Sequence, residues 1–153
     1  YPFAFTNGVQ ACYIEVDVET GLIAFKKYCV VEDCGRVINP QLVDEQIRGG
    51  VVQGIGGALF EECRYNDRGE LLNGTMSNYL LPTMTDVPDI EVAHIETPTS
   101  ESELGAKGAG EAGTGAAAAA IMNAINDALS PLGGKVTQQP FTPERILSAI
   151  GKI

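Results

Sequence analysis

The sequence predicts an α+β domain whose elements run β-β-α-β-α-β, followed by a closing helix. Two observations carry this order. Residues 10–31 alternate with the period of strands, and two longer stretches, 39–62 and 115–129, carry the composition and spacing of helices, with a second alternating segment at 91–96 between them. The chain has 153 residues, the length of about one domain. No internal repeat, low-complexity tail or linker divides it, so 1–153 reads as a single domain.

In 10–18, Cys12, Ile14, Val16 and Val18 share one face, and Tyr13, Glu15 and Asp17 share the other. Thr20-Gly21 breaks the pattern. Leu22, Ile23, Phe25, Tyr28, Val30 and Val31 resume it, which predicts a β-hairpin with a glycine-containing turn. Asn39 can cap free amides, and Pro40 at the first helical position gives up only a bond that would go unmade, so a helix is predicted over 39–62. Leu42, Val43, Ile47, Val51, Ile55 and Leu59 recur at helical spacing, yet Gly49, Gly50, Gly54, Gly56 and Gly57 fall inside the same helix. Each interior glycine costs about 1 kcal/mol against alanine. Such a run implies that another backbone or a ligand lies against the helix where Cβ atoms would intrude.

Asn66-Asp67-Arg68-Gly69 predicts a turn, and 71–82 an extended or irregular stretch punctuated by Pro82 and Pro88. In 91–96, Val92 and His94 oppose Ala93 and Ile95, which predicts a strand. The alanine-rich 115–129 predicts a helix with Thr114 as its N-cap and Pro131 as its stop. A short strand at Val136 follows, and Thr142-Pro143-Glu144 opens a last helix through Ile146, Leu147 and Ile150.

Lys and Arg total 10 against 20 Asp and Glu, a net charge of −10, which argues against nucleic acid or an anionic membrane surface as partner. No apolar run approaches the roughly 20 residues that span a bilayer. A soluble cytoplasmic chain is expected. The opening Tyr1-Pro2-Phe3-Ala4-Phe5 has no initiator Met, basic region or apolar region, as expected of a fragment or processed subunit. Cys12, Cys29, Cys34 and Cys63 form no disulfide framework, and reduced thiols are expected. The gap between Cys29 and Cys34 resembles one interval of an iron-sulfur run, but no Cys-x-x-Cys follows, so no metal ligand is assigned.

Gly108-Ala109-Gly110-Glu111-Ala112-Gly113 satisfies the literal dinucleotide fingerprint and opens a helix. It lacks the context, because Ser100-Glu101-Ser102-Glu103-Leu104 is no buried apolar strand. Two readings of Glu111 stay open at this level. It is a solvated acid favoured by the helix dipole, or a general base presented on glycines that admit substrate and cofactor. His94, the lone histidine, receives no role, and no Gly-x-Ser-x-Gly elbow supports a serine hydrolase.

Two stretches together carry a family resemblance. They are Asp33-Cys34-Gly35-Arg36-Val37-Ile38-Asn39-Pro40, continuing to Gly49-Gly50-Val51-Val52-Gln53-Gly54-Ile55-Gly56, and Lys107-Gly108-Ala109-Gly110-Glu111-Ala112-Gly113-Thr114. They resemble the C-terminal part of the molybdenum-binding large subunit of the xanthine oxidase and aldehyde oxidase family of molybdenum hydroxylases. The similarity covers most of the chain, including Glu15-Val16-Asp17, Thr20-Gly21, Tyr79-Leu80-Leu81-Pro82 and Asp86-Val87-Pro88. The chain departs from the family pattern at Glu45, where glycine is frequent, and in the plain alanine run after Thr114.

The resemblance implies a two-layer mixed sheet with helices on one side. It implies a molybdenum-molybdopterin cofactor, plain or as the cytosine dinucleotide, and hydroxylation of an aldehyde, heteroaromatic or similar electron-poor carbon with oxygen from water. Glu111 matches the family's general base. Gln53 would donate a hydrogen bond near the metal or its pterin, with Gly54 and Gly56 giving close approach on the same helix. Lys107, Gly108, Gly110, Gly113 and Thr114 would line the pterin dinucleotide, chiefly through backbone amides. The rest of the large subunit, an iron-sulfur subunit and a flavin subunit carrying FAD are the implied partners, beside a small-molecule substrate. Complete large subunits are several times longer, so the isolated chain is expected to be inactive. The alternative is a folded fragment or binding module that holds no cofactor.

Overall fold

Backbone pairing between the two opening segments organises one half of the molecule. In the computed structural model, residues 4–153 are described, and the Tyr1-Pro2-Phe3 opening lies outside the described residues. Strands β1 (Asn7–Val16) and β2 (Ile23–Asp33) pair antiparallel from Asn7↔Asp33 to Val16↔Ile23. The hairpin closes where the Gly21 amide donates to the Asp17 carbonyl at 2.7 Å, with Gly21 at φ 73°, a left-handed conformation that suits glycine. Pairing begins before the expected 10–18 and stops short of Val18 because the turn takes up Asp17 onward. The register shifts between Tyr13 and Ile14, which leaves Lys26 unmatched as a bulge. This resets the side-chain phase, so that Ile23 and Phe25 on one side of the bulge and Tyr28, Val30 and Glu32 on the other all turn inward.

Strand β3 (Ile90–His94) runs parallel to β2, giving a mixed three-stranded sheet in the order β1-β2-β3. Between them comes helix α1 (Pro40–Leu59), which starts as the sequence requires, with the Asn39 side chain accepting from the Leu42 amide at 3.2 Å. It ends at Leu59 rather than at 62, where the Phe60 and Glu61 amides both turn back to the Gly56 carbonyl at 2.9 Å. Residues 60–89 are largely irregular and tied internally. The buried Asn73 donates to the Glu62 carbonyl at 2.6 Å and accepts from the Arg64 amide at 2.9 Å.

After β3 come a single turn, α2 (Ala112–Gly115), then α3 (Ala117–Leu129), a 3-10 turn at Ser130–Leu132, and α4 (Pro143–Ala149), capped by Thr142. One core joins Ile14, Tyr28, Val30 and Ile90 of the sheet to Ile47, Val51 and Ile55 of α1, Ile121, Ile125 and Leu129 of α3, Phe141, and Ile146 of α4. The opposite sheet face carries Val9 and Tyr13, each 70 % exposed. Helices therefore cover one side only, the α+β two-layer arrangement expected.

Two expectations are corrected. Val136 forms no strand. Its amide and carbonyl pair with the side-chain amide of Asn126, at 2.8 and 3.0 Å, and so receive from one residue what a neighbouring strand would supply. Thr114 does not cap the alanine helix. It lies inside α2, and its hydroxyl donates to the Gly50 carbonyl of α1 at 3.0 Å.

Candidate functional site

The site begins where β2 ends. Asp33, 6 % exposed, accepts from the Gly35 amide at 2.9 Å, the Thr97 amide at 3.1 Å, the Thr97 hydroxyl, and the Lys107 ammonium at 3.1 Å. The Thr97 hydroxyl, the Gly35 amide and Lys107 together hold its carboxyl well below the usual carboxylate range, against the opposing effect of burial. Lys107 also donates to Thr97 Oγ1 at 2.5 Å. The backbones cross at the same place, with the Lys107 amide bonded to the Cys34 carbonyl at 2.7 Å and the Arg36 amide to the Gly105 carbonyl at 3.0 Å. The two stretches that carry the family resemblance are thus joined in space.

Beyond this junction the chain runs out over Gly108, Ala109 and Gly110 to Glu111. A Cβ at Gly108 or Gly110 would meet nothing within 4 Å, so both glycines border open space. The amides of Ala109, Gly110 and Glu111 have no acceptor among the described residues. The Glu111 side chain is exposed and makes no hydrogen bond or ion pair among those residues. Uncommitted amides on a glycine arm suit a ligand bearing anionic oxygen atoms, with room for it to come close, and would have to offset its repulsion from the Glu111 carboxylate.

The arm is fixed against the helix and the sheet. Gln46 Nε2 donates to the Gly110 carbonyl at 2.9 Å. Gln10 Nε2 donates to the carbonyls of Gly113 at 2.8 Å and Ala112 at 3.3 Å, while its Oε1 accepts from the buried Tyr28 hydroxyl at 2.7 Å. Gln53 is exposed on α1, seven residues on from Gln46 and so on the same side of the helix.

The glycines divide into two groups. A Cβ at Gly54 would overlap Ala117 Cβ, one at Gly113 would overlap the Ile47 carbonyl, and one at Gly50 would come to 3.0 Å from Gly113 Cα. These three let α1 lie directly against α2 and the start of α3. Gly56 faces Glu61 and Pro82. Gly54, Gly56 and Gly113 are buried in the chain's own packing, Lys107 is committed to Asp33, and the Thr114 amide is bonded to the Glu111 carbonyl at 3.1 Å. Of the expected site residues, Glu111, Gly108, Gly110 and Gln53 are the ones that face outward.

Comparison with known proteins bears on this arrangement. The sequence pattern of the molybdopterin cofactor-binding domain family matches residues 1–88. The chain belongs to that family. The Paenarthrobacter nicotinovorans nicotine 6-hydroxylase large subunit is 48 % identical over 145 residues, 95 % of this chain and 18 % of the relative. The carbon monoxide dehydrogenase large chain of Afipia carboxidovorans is 32 % identical over 146 residues, again 95 % and 18 %. The crystal structure of quinoline 2-oxidoreductase from Pseudomonas putida 86 superposes with a TM-score of 0.91 at 45 % identity, over 95 % of this chain and 18 % of that one. These likenesses place the chain with the molybdenum-binding subunits of the xanthine oxidase family. It spans 18 % of the length of those relatives.

Sequence reasoning did not single out Gln10, Gln46, Asp33 or Thr97. A signal existed for Gln10, which has the same parity as the inward-facing Cys12, Ile14 and Val16, so a polar side chain was due on the buried face. His94 also proves engaged, with Nε2 2.6 Å from Asp44 Oδ1 of α1. A cavity of about 350 Å³ lies among Leu22, Phe25, Phe60, Val87 and Phe141, at the hairpin-turn end of the sheet and away from Glu111. No helix among the described residues is long and apolar enough to cross a membrane.

Proposed function

We propose that this chain is the base-bearing, cofactor-binding part of a cytoplasmic molybdenum hydroxylase, which hydroxylates an aldehyde, heteroaromatic or similar electron-poor carbon. The observation that carries this reading is Glu111 itself, an unpaired exposed carboxylate at the end of a glycine arm with uncommitted amides. When bound, the molybdenum cofactor would supply the redox chemistry. Glu111 would accept the proton of the water-derived nucleophile. Its exposure and lack of an internal partner leave the carboxylate oxygens available for that transfer. Gly108 and Gly110 would admit the pterin, the amides of Ala109, Gly110 and Glu111 would offer it backbone donors, and Gln53 would donate a side-chain hydrogen bond to it.

Gly54, Gly113 and Thr114 would act one step back, seating the arm on α1, while Lys107 would anchor its root. Because the chain is a small part of its relatives' length, it would work with the rest of a large subunit, an iron-sulfur subunit and a flavin subunit, and by itself it would be inactive. The test is Glu111→Gln in the assembled enzyme. Turnover should fall by about 10²- to 10⁴-fold, the usual contribution of a positioned base, with molybdenum content unchanged. Near-normal turnover at full molybdenum loading would falsify the assignment.

A further inference from the structure

Three residues separate Lys107, anchored by Asp33 and Thr97, from Glu111, and two of them are glycines. Glycine has the widest backbone freedom of any residue, so an arm of this composition does not fix the carboxylate by itself. The Glu111 carbonyl takes the Thr114 and Gly115 amides at 3.1 Å, but the backbone bonds on the approach to it are long. The Gly108 amide lies 3.4 Å from the Ala4 carbonyl and the Ala112 amide 3.4 Å from the Ala109 carbonyl. Side-chain amides supply the shorter ones. Gln46 grips the Gly110 carbonyl, which belongs to the peptide unit leading into Glu111, at 2.9 Å. Gln10 grips the Gly113 carbonyl, two residues beyond, at 2.8 Å.

The two supports differ in what holds them. Gln10 is braced from behind, since Tyr28, fully buried, donates to its Oε1. Gln46 stands on α1, one turn before Gly50, whose carbonyl takes the Thr114 hydroxyl. Helix α1 therefore holds the segment on both sides of Glu111, through Gln46 before it and Gly50 after it.

We propose that Gln46 is a positioning residue for Glu111, fixing the carboxylate from α1 while Gln10 fixes the following turn from the sheet. The inference rests on Glu111 acting as the base. Gln46 is exposed and outside the core, so substitutions there do not threaten the fold. Gln46→Glu keeps the size but replaces the donor with an acceptor facing a carbonyl, and Gln46→Lys restores a donor.

The experiment combines steady-state kinetics with hydrogen exchange of residues 108–116, both in the assembled enzyme. Gln46→Glu should lower kcat by about 10- to 100-fold, the scale of a misplaced catalytic group. KM should stay within about twofold, since the contact is not made to substrate. Exchange in the segment should quicken by roughly tenfold, the scale set by one lost hydrogen bond, and Gln46→Lys should recover most of both effects. Unchanged kcat, unchanged exchange, or a Lys variant as impaired as the Glu variant would each overturn the proposal. Glu111→Gln, run in parallel, separates the two claims. If it retains turnover the base assignment fails with its dependent inference, whereas a dead Glu111→Gln beside a normal Gln46→Glu refutes the positioning role alone.

Discussion

Gly54 and Gly57 lie one turn apart on α1, and alanine at the two positions should have opposite effects. A Cβ at Gly54 would overlap Ala117 Cβ, while one at Gly57 would meet nothing within 4 Å. Both substitutions gain about 1 kcal/mol of helix propensity. Gly54→Ala must also force two helices apart, and overpacking costs about 1–3 kcal/mol. The obstacle is a methyl fixed to the α3 backbone with no rotamer to yield, so the upper figure applies and the net loss is about 2 kcal/mol. At about 2–4 °C per kcal/mol for a domain of this size, Gly54→Ala should lower Tm by about 4–8 °C and Gly57→Ala should raise it by about 2–4 °C. Differential scanning calorimetry of the purified protein reads both. Ala117→Gly in the Gly54→Ala background should restore most of the loss, because the clash is between those two carbons and couples the sites. Equal Tm values for Gly54→Ala and Gly57→Ala would refute the close approach of α1 and α3.

Other outcomes follow from the electrostatics and burial. Asp33 is held well below the usual carboxylate range by Thr97, Gly35 and Lys107. Its contribution to stability is therefore fully present above about pH 4 and is lost as the pH falls toward the folded-state value. Asp33→Asn should lower the urea midpoint at pH 7 and shrink the further drop on going to about pH 3. An acid-induced drop as large as in the unsubstituted protein would exclude Asp33 as a source of it. Burial pushes the Cys12 thiol up to about 11 and raises that of Cys34, whereas Cys63 is exposed. Alkylation of the native protein at pH 8, followed by mass spectrometry, should mark Cys63 well before Cys12 or Cys34. Cys12 labelling at the rate of Cys63 would contradict the packing of β1 on α3.

Local rules made the hairpin, the Asn39-Pro40 helix start and the Thr142 cap legible, because each depends on neighbouring residues. Val136 misled for an instructive reason. A single buried valine between Lys135 and Thr137 has the alternation of a strand, but its backbone partner is the side chain of Asn126, which no periodicity reveals. Thr114 had the composition of a cap, but its hydroxyl is taken by Gly50, 64 residues away. The α1 glycines announced a close approach without saying to what, and two of them, Gly50 and Gly54, prove to serve helix contacts inside the chain. Glu111 was legible as a candidate from its glycine setting. Its supports were not, since Gln10 and Gln46 are ordinary residues until the fold brings them to the arm.

The contacts around Glu111 also bear on how the molecule comes together. Gln46 meets Gly110 across 64 residues, Lys107 meets Asp33 across 74, and Gln10 meets Gly113 across 103. Contacts so distant along the chain carry a larger loop-closure cost than the hairpin does, so they should close after it. During synthesis the hairpin and α1 emerge long before residue 107, and they must wait with Asp33 and the Gly50 surface uncovered. A chain ending before 113 would leave that surface bare however well its first half had folded, so correct geometry at the arm reports that synthesis has passed that point.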